Sequence, residues 1–530
     1  MKRRDFLRQA IPASTLPFLI GGFSVRAFGR SPILEALLGT AFYTDRVLVL
    51  VQLNGGNDGL NMVIPLDQYS VLSQLRANIL IDSTKVLPLT GATGLHPAMT
   101  GMQNLYNSGQ LAVVQGVGYP NPNFSHFRAT DIWLSGADYN QIRDTGVLGR
   151  YLDAEFPGFP DGYPSTVMPD PLAISIGSLV SSGLQGSSVS MGMAIADPNA
   201  QYILPGGVDT PPNTAAGHEL TFVREVAQQT QVYSAAVKSA SNNVTNKSTL
   251  YPTGNSLSDQ LKIVARLIAG GLKTRVYTVS IGGFDTHSAQ VDPADATHST
   301  GAHATLLKRL SDAVAAFMDD LTLLGADNRV IGMTFSEFGR RIKSNASGGT
   351  DHGTSEPVIV FGKLVNPGLV GNNPVITLTS DNLPMQYDFR RVYGTVLRDW
   401  FGASPTELES VLTTPLYSST QSSLSIVSPS AVAGVEEWAS NVPDHYALLQ
   451  NYPNPFNPST TIRYELPQTA SVLLEVFNTA GERVGVLEEG ERDAGVHTTQ
   501  FDASRLPSGA YFYRLRAGGF TETRKALLVR

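Results

Sequence analysis

Cysteine is absent from all 530 residues. That excludes disulfides, thiolate metal ligands and cysteine nucleophiles, and it suits oxidising surroundings. A surplus of positive charge is also missing. The formal net charge is −7, which argues against a nucleic-acid partner, and no long acidic tail is present. No run is apolar, long and unbroken enough to span a membrane stably. The best candidate, Ile11 to Val25, is interrupted by Pro12 and Pro17. What is present points to a large exported protein. A 42 % hydrophobic content is ample for a core, and the length suggests two or more domains. Gly 50 and Pro 32 fit loop-rich architecture without reaching disorder.

The two ends read as addresses. Lys2, Arg3 and Arg4 form a basic head before the apolar stretch, with small residues near Ala27-Phe28-Gly29 for cleavage. This is a signal-peptide pattern over residues 1–29, and "RRDFL" resembles the twin-arginine motif, which implies the twin-arginine translocase as a partner. At the other end, strand-like alternation recurs at Thr461–Leu466, Val472–Phe477, Ala510–Leu515 and Thr521–Val529, with turn signals such as Pro507-Ser508-Gly509 between. The spacing predicts a small Ig-like β-sandwich over 448–530. "NYPNPFNPSTTIRYELP" and "LPSGAYFYRLRAGG" resemble the type A C-terminal sorting domain of the type IX secretion system. The resemblance implies that machinery as a second partner. The expected route is the periplasm, then the cell surface or the extracellular space. Residues 431–447 read as a linker.

The middle, 30–430, alternates apolar strands with helices. Strands are expected at Val47–Leu53, Leu111–Val117, Leu172–Ile176, Arg275–Ile281, Val330–Phe335 and Val358–Gly362. Helices are expected at Pro97–Tyr106, Leu220–Ser239, Ser256–Ile268 and His303–Leu324. That alternation predicts an α/β layer fold with a mostly parallel sheet. Residues 157–256, rich in Ser, Gly, Asn and Pro with two strand-like patches, read as an insertion capping the site.

Parallel sheets carry their sites at the carboxyl ends of the strands, and that rule sorts the polar residues. Asp58 follows the first strand. Asp285 and His287 follow another, in "IGGFDTHSAQ". Glu337 follows "VIGMTF". Asp351 and His352 lie in a glycine-rich loop before the next strand. Carboxylates and imidazoles without sulfur suit a divalent ion: zinc, manganese, iron, magnesium or calcium, with imidazole favouring the transition metals. "NPNFSHFRATDIWLSG" adds Ser125 and His126. Asn123 or Ser125 would cap a helix there, and Arg128 stands one turn on, able to clamp an oxyanion. Of the other histidines, His96 reads as structural and His298 as solvated. His303 reads as a cap or a ligand.

Together "VQLNGGNDGLNMVIP", "SHFRATDIWLSG", "SIGGFDTHSAQ", "TFSEFGRRI" and "GGTDHGTSEPVIVFG" resemble a bacterial family of unknown function, typically with twin-arginine signals, in the alkaline phosphatase/sulfatase-like superfamily. The resemblance implies a three-layer α/β/α fold and metal-dependent hydrolysis of phosphate or sulfate esters, small or polysaccharide. It implies metal ligands among Asp285, His287, Asp351, His352 and Asp58, with Ser125 as nucleophile. Arg128 and Arg340 would stabilise charge, and His126 or Glu337 would handle protons. Phe338 follows Glu337 where many members have histidine, and Asn54 stands where they have a metal aspartate. These departures allow a one-metal site, a different metal, or a scaffold that binds a ligand or glycan without catalysis.

Overall fold

The computed structural model describes residues 45–160, 168–199, 231–412, 423–431 and most of 446–529. Of residues 1–44 it describes two short antiparallel strands, Phe18–Ile20 and Phe23–Val25. The basic head, most of the linker and residues 215–230 lie outside the described residues. No helix among those described is long and apolar enough to cross a membrane. The chain divides into two compact units, with the break after Ala433.

The first unit is built on a nine-stranded sheet. Its strands are β1 (Val47–Asn54), β2 (Leu111–Gly118), β3 (Ala173–Ile176), β4 (Gly192–Ile195), β5 (Val276–Gly282), β6 (Val330–Phe335), β9 (Glu356–Phe361), β10 (Gly368–Val370) and β11 (Tyr387–Asp388). Between β6 and β9 the chain forms a separate two-stranded ribbon, β7 (Arg340–Ser344) and β8 (Thr350–His352). The order across the sheet is β10-β2-β9-β6-β1-β5-β3-β4, with β11 also on β2. β1 lies at the centre, parallel to β5 and β6. Its residues Val47, Val49 and Val51 are fully covered, as a central strand with helices on both faces requires.

One strand runs the other way. β9 is antiparallel to both β6 and β2. An apolar run such as "EPVIVF" carries no sign of its direction, so the six expected strands appear where predicted while this reversal was not visible in advance. Its effect is positional. The start of β9, and the ribbon before it, lie at the same edge as the carboxyl ends of β1, β5 and β6.

The main helices are α1 (Thr100–Asn107), α2 (His126–Ser135), α3 (Val147–Glu155), α4 (Ser256–Ala269), α5 (Ala302–Leu323) and α6 (Phe389–Thr395). Asn255 caps α4 by accepting from the amides of Leu257 and Ser258. Of the helix expected at 220–239, residues 231–243 are helical and the rest lies outside the described residues. Much of the expected cap over 157–256 lies outside the described residues, while two segments within it, β3 and β4, extend the central sheet through β5. Apolar four-residue segments such as "AISI" gain more by pairing on an open sheet edge than by standing apart.

The second unit is two antiparallel sheets around one core. One joins Ala447–Leu448, Ser459–Leu466 and Gly495–Asp502. The other joins Arg483–Arg492, Ala470–Phe477, Gly509–Ala517 and Phe520–Leu528. Ile462, Tyr464, Leu474, Val476, Tyr513 and Leu515 fill the space between. The strands Arg483–Arg492 and Gly495–Asp502 escaped the sequence reading because their alternation is diluted by glycine and charge.

Candidate metal centre

The turn after β1 is Asn54-Gly55-Gly56, with φ of +125° and +76° at the two glycines. Only glycine fits here. A Cβ on Gly55 would lie 2.3 Å from the amide nitrogen of Asp285, and one on Gly56 2.3 Å from the Phe338 ring. The β1 turn is thus pressed against the turn that follows β5. Arg340, fully buried at the start of β7, ties these pieces together. Its Nε donates to the Gly56 carbonyl (2.6 Å) and Nη1 to the Thr350 carbonyl (2.9 Å). Its Nη2 serves the carbonyls of Gly55 and Phe284 and the Asp285 carboxylate (2.6 Å).

Around Asp285 stand three histidines from three segments. His126 opens α2, His287 lies two residues past Asp285, and His352 ends β8. Each ring is fixed at Nδ1 by an oxygen. His126 Nδ1 is 2.8 Å from Glu337 Oε1. His352 Nδ1 is 2.8 Å from the Phe124 carbonyl. His287 Nδ1 is 3.4 Å from Asp351 Oδ1. A carbonyl only accepts, so His352 Nδ1 carries the proton and Nε2 is left bare in the neutral ring. The same assignment follows for the two rings that face carboxylates.

The three Nε2 atoms then converge. From Asp285 Oδ1, His287 Nε2 lies at 3.1 Å and His352 Nε2 at 3.3 Å, while His126 Nε2 is 3.6 Å from Oδ2. The two Nε2 atoms of His287 and His352 are 2.9 Å apart. Bare nitrogens facing one another and a carboxylate repel unless a proton or a cation lies among them. Nitrogen and oxygen donors from His126, Asp285 and His352 all fall within 4.8 Å of one another, the span of ligands around a single ion. This N₂O set, with His287 Nε2 close to Asp285 and His352 beside it and each imidazole held from behind by an oxygen, fits a transition metal such as zinc.

The electrostatics agree. Partial burial opposes ionisation of Asp285, but Arg340, His352 and His287 hold its carboxyl below the usual range. Burial, with Arg340 and His126 nearby, lowers His352 and favours its neutral form. Asp351 is also lowered, first by the Asn345 amide and then by His287, working against slight burial. Beneath the cluster, the Phe338 ring packs on His126 and His352 at centroid distances of 5.0 and 4.4 Å.

The predicted residues therefore separate. Asp285, His287 and His352 come together as expected. His126, expected to handle protons, stands among them as a fourth donor. Glu337 and Asp351 act from outside, orienting imidazoles. Asp58 is corrected: it is fully buried, its oxygens taken by Arg76 Nη1 (3.0 and 3.1 Å) and Gln290 Nε2 (2.6 Å). Burial opposes its charge, but Arg76, His303 and Gln290 together outweigh that and keep its pKa low. Arg128 is corrected too. It bonds Asp131 and the carbonyls of Asp138, Tyr139 and Gln141, so its donors face a loop. Arg340 has its donors taken within the fold and is not an oxyanion clamp. Ser125 is the exposed N-cap position of α2, where its side chain makes no capping bond. His303 is a buried residue bonded to Asn57 Oδ1 at 3.0 Å. The Phe124 carbonyl and the Phe338 floor were missed. β2 is parallel to β1, so the edge rule does bring its following loop here, and that was the available signal.

No curated protein matches this sequence. Solved structures similar to it include the PsFucS1 sulfatase from Pseudoalteromonas sp., at 10 % identity, covering 89 % of this chain and 86 % of that one, with a TM-score of 0.32. Another, from a study of the metabolism of multiple glycosaminoglycans by Bacteroides thetaiotaomicron, has 12 % identity, coverage of 84 % and 90 %, and a TM-score of 0.33. The alkaline phosphatase of the Antarctic bacterium TAB5 has 10 % identity, coverage of 70 % and 99 %, and a TM-score of 0.25. Residues 450–529 match a secretion system C-terminal sorting domain, which marks the chain for export to the cell surface or extracellular space. Residues 212–390, which hold every member of the cluster except His126, match the family described as protein of unknown function (DUF1501).

Proposed function

We propose that this chain is an exported, metal-dependent hydrolase of phosphate or sulfate esters. The observation that supports it best is the shared orientation of three imidazoles: each Nδ1 is held by an oxygen and each Nε2 is turned to Asp285. His126, Asp285 and His352 would hold the ion, with His287 beside them against Asp285. The cluster is open, with the Asp285 and His287 side chains 47 % and 43 % exposed. Structural zinc sites close around the ion, whereas catalytic ones leave a position for substrate. When bound, a divalent ion supplies Lewis acidity toward an ester oxygen and lowers the pKa of a nearby water or hydroxyl.

The chain's own residues supply the rest. Glu337, Asp351 and the Phe124 carbonyl set the tautomers. Ser125 offers a hydroxyl at the amino end of α2, where the helix dipole and free amides favour negative charge. Arg340 holds Asp285 in place.

The test is an ester assay on full-length protein, stripped of metal and reloaded with zinc or manganese, using 4-nitrophenyl phosphate and 4-nitrophenyl sulfate. Turnover is expected only after reloading, and loss of it in His126→Ala. Metal uptake without turnover of either ester would favour a second reading, a surface protein that binds a ligand or glycan. One observation speaks for that alternative: both arginines expected to clamp an oxyanion, Arg128 and Arg340, have their donors turned to carbonyls and carboxylates of the fold.

A further inference from the structure

A cavity of about 170 Å³ lies against the sheet toward the carboxyl ends of β1, β3 and β5. It shares no residue with the metal cluster. Strand register decides which side chains face it. Gln52 pairs with Ser280 and Phe335, Leu50 with Thr278, and Thr278 with Ser175. Residues two apart on a strand share a face, and so do partners in register on neighbouring strands. Leu50, Gln52, Ser175, Thr278, Ser280 and Phe335 therefore stand on one face of the sheet, and all six line the cavity. Thr278 Oγ1 donates to Ser175 Oγ at 2.8 Å, which joins those two side chains directly. Leu134 of α2 and the segment Leu179-Val180-Ser181 complete the lining. Ser280 and Leu179 are exposed, so the cavity reaches water.

The lining mixes two kinds of side chain. Leu50, Leu134 and Phe335 are apolar, Gln52, Ser175 and Thr278 are polar, and no ionisable side chain takes part. Ser175 is 4 % exposed. Its Oγ accepts from Thr278 Oγ1 and from the Ser181 amide (3.0 Å), which uses both lone pairs. Its own O–H remains to donate and has no acceptor among the described residues. The Gln52 side-chain amide likewise has no partner among them. A buried hydroxyl donor is costly unless a water or a bound group accepts from it. We propose that this cavity binds an uncharged six-membered ring carrying hydroxyl groups. A cavity of about 150 Å³ holds one benzene ring, so the volume limits the ligand to a single ring. The ring's apolar face meets Leu50, Leu134 and Phe335, and its oxygens meet the Ser175 donor and the Gln52 amide. A charged ring would lose hydration with no counter-charge to replace it. Saturated polyol rings and phenols share this chemistry. The proposal stands apart from the hydrolase reading.

The experiment is a ligand-observed NMR titration of the metal-free full-length protein, so that the cluster plays no part. The saturated probes are the methyl pyranosides of glucose, galactose and mannose, with glucuronate as their charged counterpart. The aromatic probes are phenol and, as its charged counterpart, benzoate. At least one uncharged ring should bind, at least about tenfold more tightly than its charged counterpart. Binding of a pyranoside would support the proposal with a polyol ring as ligand, and binding of phenol alone would support it with an aromatic one. Ser175→Ala should weaken that binding about two- to tenfold, the range of one lost hydrogen bond. Gln52→Ala should weaken it similarly. That variant gives up no hydrogen bond of the described fold, so it carries the test if Ser175→Ala does not fold. No binding of any uncharged ring, equal binding of charged and uncharged partners, or binding that the folded variants leave unchanged would overturn the proposal.

Discussion

Glu337 shows how much one side chain can decide at this site. It is almost fully buried, accepts from the Gly55 amide at 2.8 Å, and receives His126 Nδ1 at the same distance. It therefore fixes both the β1 turn and the tautomer of His126. Carboxylates that hold a ligating histidine in this way commonly affect metal affinity by about 10–100-fold. Glu337→Gln keeps an acceptor for both donors but loses the charge. Zinc affinity should fall by about that factor with the fold intact, as a competition titration against a chelating dye would show. An unchanged affinity would mean that His126 is not a ligand. The residue scale is also where sequence reading was least secure. Asp58 and Asp285 are the same residue type, each just past a strand end. One is buried against Arg76 and the other faces the cluster. Arg76 lies eighteen positions after Asp58 in a segment with no pattern to announce it. Burial and pairing decide between structural and functional carboxylates, and neither is written in local spacing.

At the scale of elements, the site is a meeting of turns. β1, β5 and β6 deliver theirs by parallel pairing, and the reversed β9 brings the β7–β8 ribbon to the same edge. The strands themselves were legible, because buried apolar runs between glycines have few other readings. Their mutual approach was legible only in part. What Gly55 and Gly56 approach, Asp285 and Phe338, comes from distant segments. Gly56→Ala tests this contact. With φ at +76° and a Cβ 2.3 Å from the Phe338 ring, the substitution should cost about 1–3 kcal/mol. It should also weaken metal binding, since Phe338 supports His126 and His352. Gly91→Ala, with nothing within 4 Å of a new Cβ, is the matched control and should change neither. Equal behaviour of the two variants in urea unfolding would show that the turn is looser than described.

For the whole molecule, two buried histidines under the site set an acid limit. Burial above all lowers His303 to about 4 and His96 to about 3, although Asp58 pulls both upward. Both are neutral in the native state. Below the unfolded value near 6.5 the unfolded chain takes up protons that the native state refuses. The stabilisation is therefore complete above about pH 6.5 and is lost as the pH falls toward 4. For His303 the loss by pH 4 is about 3 kcal/mol. Urea unfolding of the metal-free full chain at pH 7.5, 5.5 and 4.5 should show that decline in the first unit. His303→Gln, which can still donate to Asn57, should flatten it; an equal slope in the variant would assign the acid limit to other groups. The second unit, matching a sorting domain, has its own core and supplies none of the cluster.

The central claim is that His126, Asp285 and His352, with His287 beside them, hold one divalent ion. It is tested most directly by metal content, measured by plasma mass spectrometry on full-length protein dialysed against a mild chelator. One equivalent of a transition metal per chain is expected in the wild type and in Asp58→Asn. It should be absent from His126→Ala/His352→Ala folded to the same degree. A folded wild-type protein without metal, or a metal that survives loss of both histidines, would contradict the account.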